Sequence, residues 1–204
     1  ENNNISLSRS YDFAYRPFWS RDGKAWVPTG TVIWDVIDRD RMTYLGPSRA
    51  PVRAIESGAE GVFQWFTIEK KPKRILSHRA DSRIDRPVPA TDPIDIAADG
   101  QGRLYVLDGT RVKRFNPAGD ASVGLIQAGL SKPIALDVDP MGNVYVLDRT
   151  GRVDVFDSGG EKLESFGPSL PGGGALSNAK DIAVDDTGRL YLLGDKPGTV
   201  FVLE

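Results

Sequence analysis

The residues able to do chemistry are few and mostly acidic. Asp95 and Asp181 stand at the start of two similar apolar segments, Asp95-Ile96-Ala97 and Asp181-Ile182-Ala183. Two or three carboxylates converging from such segments could hold Ca2+ or act as a general acid–base pair. A second acidic set, Asp99, Asp139 and Asp185, precedes a glycine by three residues each time. That spacing is turn chemistry first: Asp bonds its own backbone, and Gly takes a positive φ. His78 is the sole histidine and sits in a polar stretch. Its plain reading is an exposed side chain, against a general base or ligand. With no Cys, thiolate metal sites, disulfides and cysteine nucleophiles are excluded.

Two segments read as binding surfaces. Between positions 70 and 86 the cations Lys70, Lys71, Lys73, Arg74, Arg79, Arg83 and Arg86 are diluted by Glu69, Asp81 and Asp85. The functional reading is a patch for an anionic partner. The plain one is a solvated edge strand and loop, with lysines guarding the edge. No aromatic side chains are interleaved to stack bases, and the net charge is −2, so nucleic acid is disfavoured. The first 35 residues are rich in rings, including Trp19, and Tyr11, Phe13 and Tyr15 alternate onto one face of a strand. Core packing is the plain reading, and an exposed platform around Trp19 for protein or carbohydrate is the functional one.

These residues are positioned by a repeat. Gly102-Arg103-Leu104-Tyr105-Val106 returns as Gly142-Asn143-Val144-Tyr145-Val146 and as Gly188-Arg189-Leu190-Tyr191-Leu192, at spacings of 40 and 46 residues. Weaker copies stand in phase at Gly23 and Gly61. Each strong copy carries an apolar stretch before the glycine and an Asp after the aromatic strand: Asp108, Asp148 and Asp195. A third strand follows, such as Arg111–Phe115 or Arg152–Phe156. The segments are short, rich in Val, Ile, Tyr and Phe, and cut by Gly, Pro and Asp; no long segment has a helical period. A period near 40 with four short strands per unit is the pattern of a β-propeller blade.

Residues 93–204 resemble NHL repeats, on Pro93-Ile94-Asp95-Ile96-Ala97, Asp99, Gly102, Leu104-Tyr105-Val106-Leu107-Asp108 and the Val-x-x-Phe strand that follows. The resemblance implies an all-β propeller and leaves the function open. Five copies over 204 residues predict five blades in a single domain over 1–204. The last copy lacks a fourth strand, and Ile5–Arg9 offers one, so this N-terminal strand is expected to close the last blade. Rings of the NHL type usually have six blades, which keeps a six-bladed or incomplete ring as the alternative. Residues 70–92 and 167–180 read as long connecting loops, where binding is expected. In a propeller Asp95 and Asp181 would face the central channel.

Composition bounds the rest. Apolar residues are 40% and charged residues 26%, a globular balance at a length able to bury its own core. No run of 18 apolar residues is present, so no membrane-spanning helix is expected. The chain opens at Glu1 and not at Met, which sets the expectation of a processed or trimmed start and leaves secreted, periplasmic and cytoplasmic placements open. The expected function is a non-enzymatic scaffold for a protein partner. The alternatives are a carbohydrate-active hydrolase or lyase using channel-mouth carboxylates, and a component of a phage-tail-like or envelope machine. No cofactor is expected beyond Ca2+ in the channel.

Overall fold

The computed structural model describes residues 18–19, 25–29, 32–38, 41–47, 52–57, 63–70 and 72–79. It also describes residues 86–203 apart from 100, 118, 121, 128, 170–175, 177–178 and 195–198, with side chains described from Phe66 onward. Among these residues every regular element is a strand. The first sheet comprises β1 (Phe18–Trp19), β2 (Ala25–Thr29), β3 (Val32–Asp38) and β4 (Arg41–Pro47). The second comprises β5 (Val52–Ser57), β6 (Phe63–Lys70), β7 (Lys73–Arg79) and β8 (Arg86–Val88). The third comprises β9 (Pro93–Ala98), β10 (Leu104–Asp108), β11 (Arg111–Phe115) and β12 (Ser122–Ile126). The fourth comprises β13 (Pro133–Val138), β14 (Val144–Asp148), β15 (Val153–Phe156) and β16 (Lys162–Phe166). The last comprises β17 (Asp181–Val184), β18 (Leu190–Leu193) and β19 (Val200–Leu203).

Each sheet is an antiparallel meander, with neighbours in sequence paired in space. In the third sheet Tyr105 stands opposite Ala97 on one side and Arg114 on the other. The first strands of successive sheets stand side by side: β5 against β9, β9 against β13, and β13 against β17. This is the blade packing of a β-propeller, and the fold is all-β as the repeat predicts.

The core lies between blades. Phe66, Ile75 and Val88 of the second sheet meet Ile96, Leu104 and Val106 of the third. Ala97, Tyr105 and Leu107 on the third sheet's other face meet Leu136, Val138 and Val146 of the fourth. Leu147, Val153 and Val155 then meet Ile182, Leu190 and Leu192 of the last. A middle strand is therefore covered on both faces. Leu104, Tyr105, Val106 and Leu107 are all fully buried, which explains the unbroken apolar run. Each such Val or Leu contributes about 1.5–3 kcal/mol by leaving water.

One expectation changes. The run 70–92 is not one long connecting loop: Lys73–Arg79 and Arg86–Val88 within it form β7 and β8, the outer strands of the second sheet, in line with the edge-strand reading. Ile75, Leu76 and Ser77 are buried in the middle of β7, and that apolar pair is what makes the basic segment a strand. The last sheet has three strands, and Val200 and Val202 on its outer strand are each 53% exposed. Ile5–Arg9, expected to complete it, lies outside the described residues.

Candidate functional site

The recurrent Asp and Tyr act together. In the turn from β9 to β10, Asp99 Oδ1 accepts from the N–H groups of Gln101 (2.9 Å) and Arg103 (3.0 Å), and Oδ2 accepts from the Tyr105 hydroxyl at 3.0 Å. Asp139 repeats this with Met141, Asn143 and Tyr145. Asp185 repeats it with Thr187, Arg189 and Tyr191. The turn is closed by the glycine N–H donating to the Asp carbonyl, as from Gly102 to Asp99 at 2.9 Å. Gly102 has φ 75°, which glycine adopts without strain. Burial first, and the Asp99 charge second, push the Tyr105 hydroxyl above the ordinary phenol range. For Asp185 the Thr187 hydroxyl and the backbone donors hold the carboxyl at about 2. These aspartates are turn locks, as the spacing suggests.

The carboxylates expected at the channel accept backbone N–H groups. Asp95 is 7% exposed, and its Oδ2 accepts from the Leu136 N–H on the neighbouring first strand, at 3.1 Å. It bolts β9 to β13. Asp181 is half-buried, and its Oδ1 accepts from the N–H of Ile182 at 3.1 Å. Asp137, which sequence reasoning passed over, does for the next pair what Asp95 does for the first. Its Oδ2 accepts from the Val184 N–H at 2.8 Å, bolting β13 to β17. The available signal is a charged residue inside the apolar run Ile134–Val138.

Two further buried acids escaped the sequence reading of roles. Asp108 accepts from the Thr91 N–H (3.0 Å), the Asp92 N–H and the Lys113 ammonium (2.6 Å). Burial opposes its ionisation, but Lys113 and these N–H groups outweigh burial and hold the carboxyl below its ordinary range. Asp154 is similarly desolvated, yet Ser165, Lys162 and Arg152 hold it low as well. Among the described residues, no group of three or more His, Asp or Glu is arranged to hold a metal ion.

The basic run is divided by the fold. Lys73 and Arg74 begin β7, and Arg79 ends it. Arg86 opens β8 opposite Ser77. Lys73 pairs with Asp92 of the third blade and Arg74 with Glu69. Lys71 and Arg83 lie outside the described residues; His78 pairs along the backbone with Trp65, and Trp19 with Ala25. The expected single patch thus splits towards opposite ends of one strand.

At the end where β7 starts, other blades contribute cations. Arg111 follows the β10–β11 hairpin, Arg149 lies in the β14–β15 turn, and Lys132 and Lys180 immediately precede β13 and β17. All four are exposed. Backbone bonds tie these connections together: Gly109 N–H to the Asp92 carbonyl (2.9 Å), Arg149 to Lys132 (3.0 Å), and Lys180 to Leu193 (2.8 Å). Lys132 has φ 48°, uncommon for a residue with a side chain.

No protein-family model matches the chain, and no curated protein sequence matches it. Among solved structures the fold is similar to a gluconolactonase of Xanthomonas campestris, at 18% identity over 89% of this chain and 69% of that one, with a TM-score of 0.59. It is similar to virginiamycin B lyase of Staphylococcus aureus at 13% identity, over 92% and 68%, with a TM-score of 0.62. It is also similar to YCF48 bound to a D1 peptide, at 15% identity over 92% and 64%, with a TM-score of 0.60. This chain therefore spans about two thirds of the length of each.

Proposed function

We propose that this chain is a single propeller domain of NHL-type repeats whose function is to bind a protein, without catalysis. The observation that carries this reading is the use made of the carboxylates. Asp95 and Asp137 accept backbone N–H groups across blades, and Asp99, Asp139 and Asp185 lock turns. Acids so engaged hold strands in register and are poorly placed to exchange protons with a substrate. The exposed chemistry lies in the connections at the blade ends, on a scaffold already rigid before a partner arrives. The likeness to YCF48, whose structure holds a D1 peptide, is in keeping with this reading.

The test is affinity capture with the immobilised chain, followed by lysine cross-linking and mass spectrometry. The expected result is a stoichiometric protein whose cross-links cluster at one end of the blades. A chain that retains no protein under any condition overturns the reading.

A hydrolase or lyase is the second reading. Asp181 favours it, being a half-buried carboxylate at the start of a first strand. It requires turnover of a lactone or glycan that Asp181→Asn abolishes at unchanged Tm.

A further inference from the structure

We propose that the partner is an acidic, extended protein segment docking on the blade end formed by the hairpins after β6, β10 and β14 and by the residues before β9, β13 and β17. This inference rests on the protein-binding reading and gives that partner its chemistry. Arg111, Lys132 and Arg149 are exposed there, and among the described residues no acidic side chain pairs with any of them. Lys73 and Lys180 are exposed at the same end. The acids beneath, Asp108 and Asp148, are buried and already accept backbone N–H groups. Among the described residues Asp92 is the exposed acid at this end, and Lys73 pairs with it.

The opposite end is mixed in charge: its turns carry Asp120, Asp157, Glu161, Asp185 and Asp186, but Arg79, Arg86, Arg103 and Arg189 lie there too. Arg111, Lys132 and Arg149 at the first end, exposed and without an acidic partner among the described residues, attract an anionic segment to that side.

The geometry also sets the partner class. The backbone bond from Arg149 to Lys132 brings two cations from different connections together. One blade away the equivalent bond joins Gly109 to Asp92, with Arg111 two residues further on. Thr110 and Ser131 stand exposed between them, adding hydroxyl donors for carboxylates, whereas the Thr91 and Thr150 hydroxyls already donate to Asp108 and Asp148. The exposed residues described at this end include no aromatic ring to stack a base. Exposed Val123, Met141 and Leu163 lie towards the other end, and Val200 at the start of β19 is the exposed large apolar side chain described at this one, too little to anchor in a lipid surface apart from charge.

The experiment is fluorescence anisotropy of the full chain with a labelled peptide of alternating Glu and Ser. A Lys–Ser peptide, a labelled oligothymidine and phosphatidylglycerol vesicles are the comparisons. The Glu peptide is expected to bind, to weaken as salt rises, and to lose at least about tenfold in affinity in Arg111→Glu/Lys132→Glu/Arg149→Glu. Gln101→Glu/Met141→Glu, at the opposite end, leaves binding unchanged. If the reversed triple variant melts early, Arg111→Gln/Lys132→Asn/Arg149→Gln replaces it, since Asn tolerates the left-handed backbone at Lys132. An expected loss of about threefold is then read.

No binding of the Glu peptide, equal binding by the variants, or tighter binding of oligothymidine or vesicles each overturns the proposal. A captured protein that the triple variant retains equally well defeats this inference and leaves the protein-binding reading standing.

Discussion

Asp99 and Tyr105 show how single side chains set this molecule. One carboxylate accepts two turn N–H groups, the Arg103 guanidinium and a buried hydroxyl. Asp99→Ala leaves those donors without a partner and is expected to cost about 3 kcal/mol, read from chemical denaturation. Tyr105→Phe removes one donor only and should cost about 1 kcal/mol. The acid limb of stability follows from Asp108 and Asp154, whose folded carboxyls are held low. The unfolded chain binds protons on these groups more readily, so their stabilisation is complete above about pH 4 and is lost as pH falls through the lower folded values. Tm is expected to be level above about pH 5 and to drop below about pH 4, less steeply in Asp108→Asn. A drop that begins near neutrality would contradict this assignment. The Asp-x-x-Gly turns were legible from spacing because the bonds close within the motif. The bridging roles of Asp95 and Asp137 were not, because their partners, Leu136 and Val184, belong to the next blade.

At the scale of the strands, the glycines separate local from inter-blade constraint. Gly160 has φ 90°, and a Cβ there would stand 2.2 Å from the Leu125 carbonyl oxygen of the neighbouring blade. Gly188 has φ 84° with nothing within 4 Å of the same added atom. Gly188→Ala should cost about 1 kcal/mol from backbone strain alone. Gly160→Ala should cost at least about 2 kcal/mol more, because backbone of one sheet must move away from the next. Equal costs would argue that the third and fourth blades are not packed as described. The strands of the third and fourth sheets were legible from period and turn residues. Those of the second were legible only in part: its copy stands in phase at Gly61 but lacks an Asp three residues before that glycine. The Lys-rich β7 there hides a buried Ile75-Leu76 centre that only pairing with β6 and packing against the third blade reveals.

For the whole molecule, the second, third and fourth blades each offer a face that the next one covers, and among the described residues β19, where Val200 and Val202 are exposed, has no strand partner beyond β18. We expect Ile5–Arg9 to supply that partner, so deleting residues 1–9 should lower stability by about 3 kcal/mol through a lost strand ladder. An unchanged Tm would rule the closure out. On our proposal the propeller presents its basic end as a protein-docking surface. The deciding measurement is native mass spectrometry of the chain recovered with its retained partner, after lysine cross-linking. A discrete stoichiometric complex with a protein is expected, with cross-links at Lys73, Lys132 and Lys180. A bare chain that retains nothing yet turns over a lactone or glycan would contradict it.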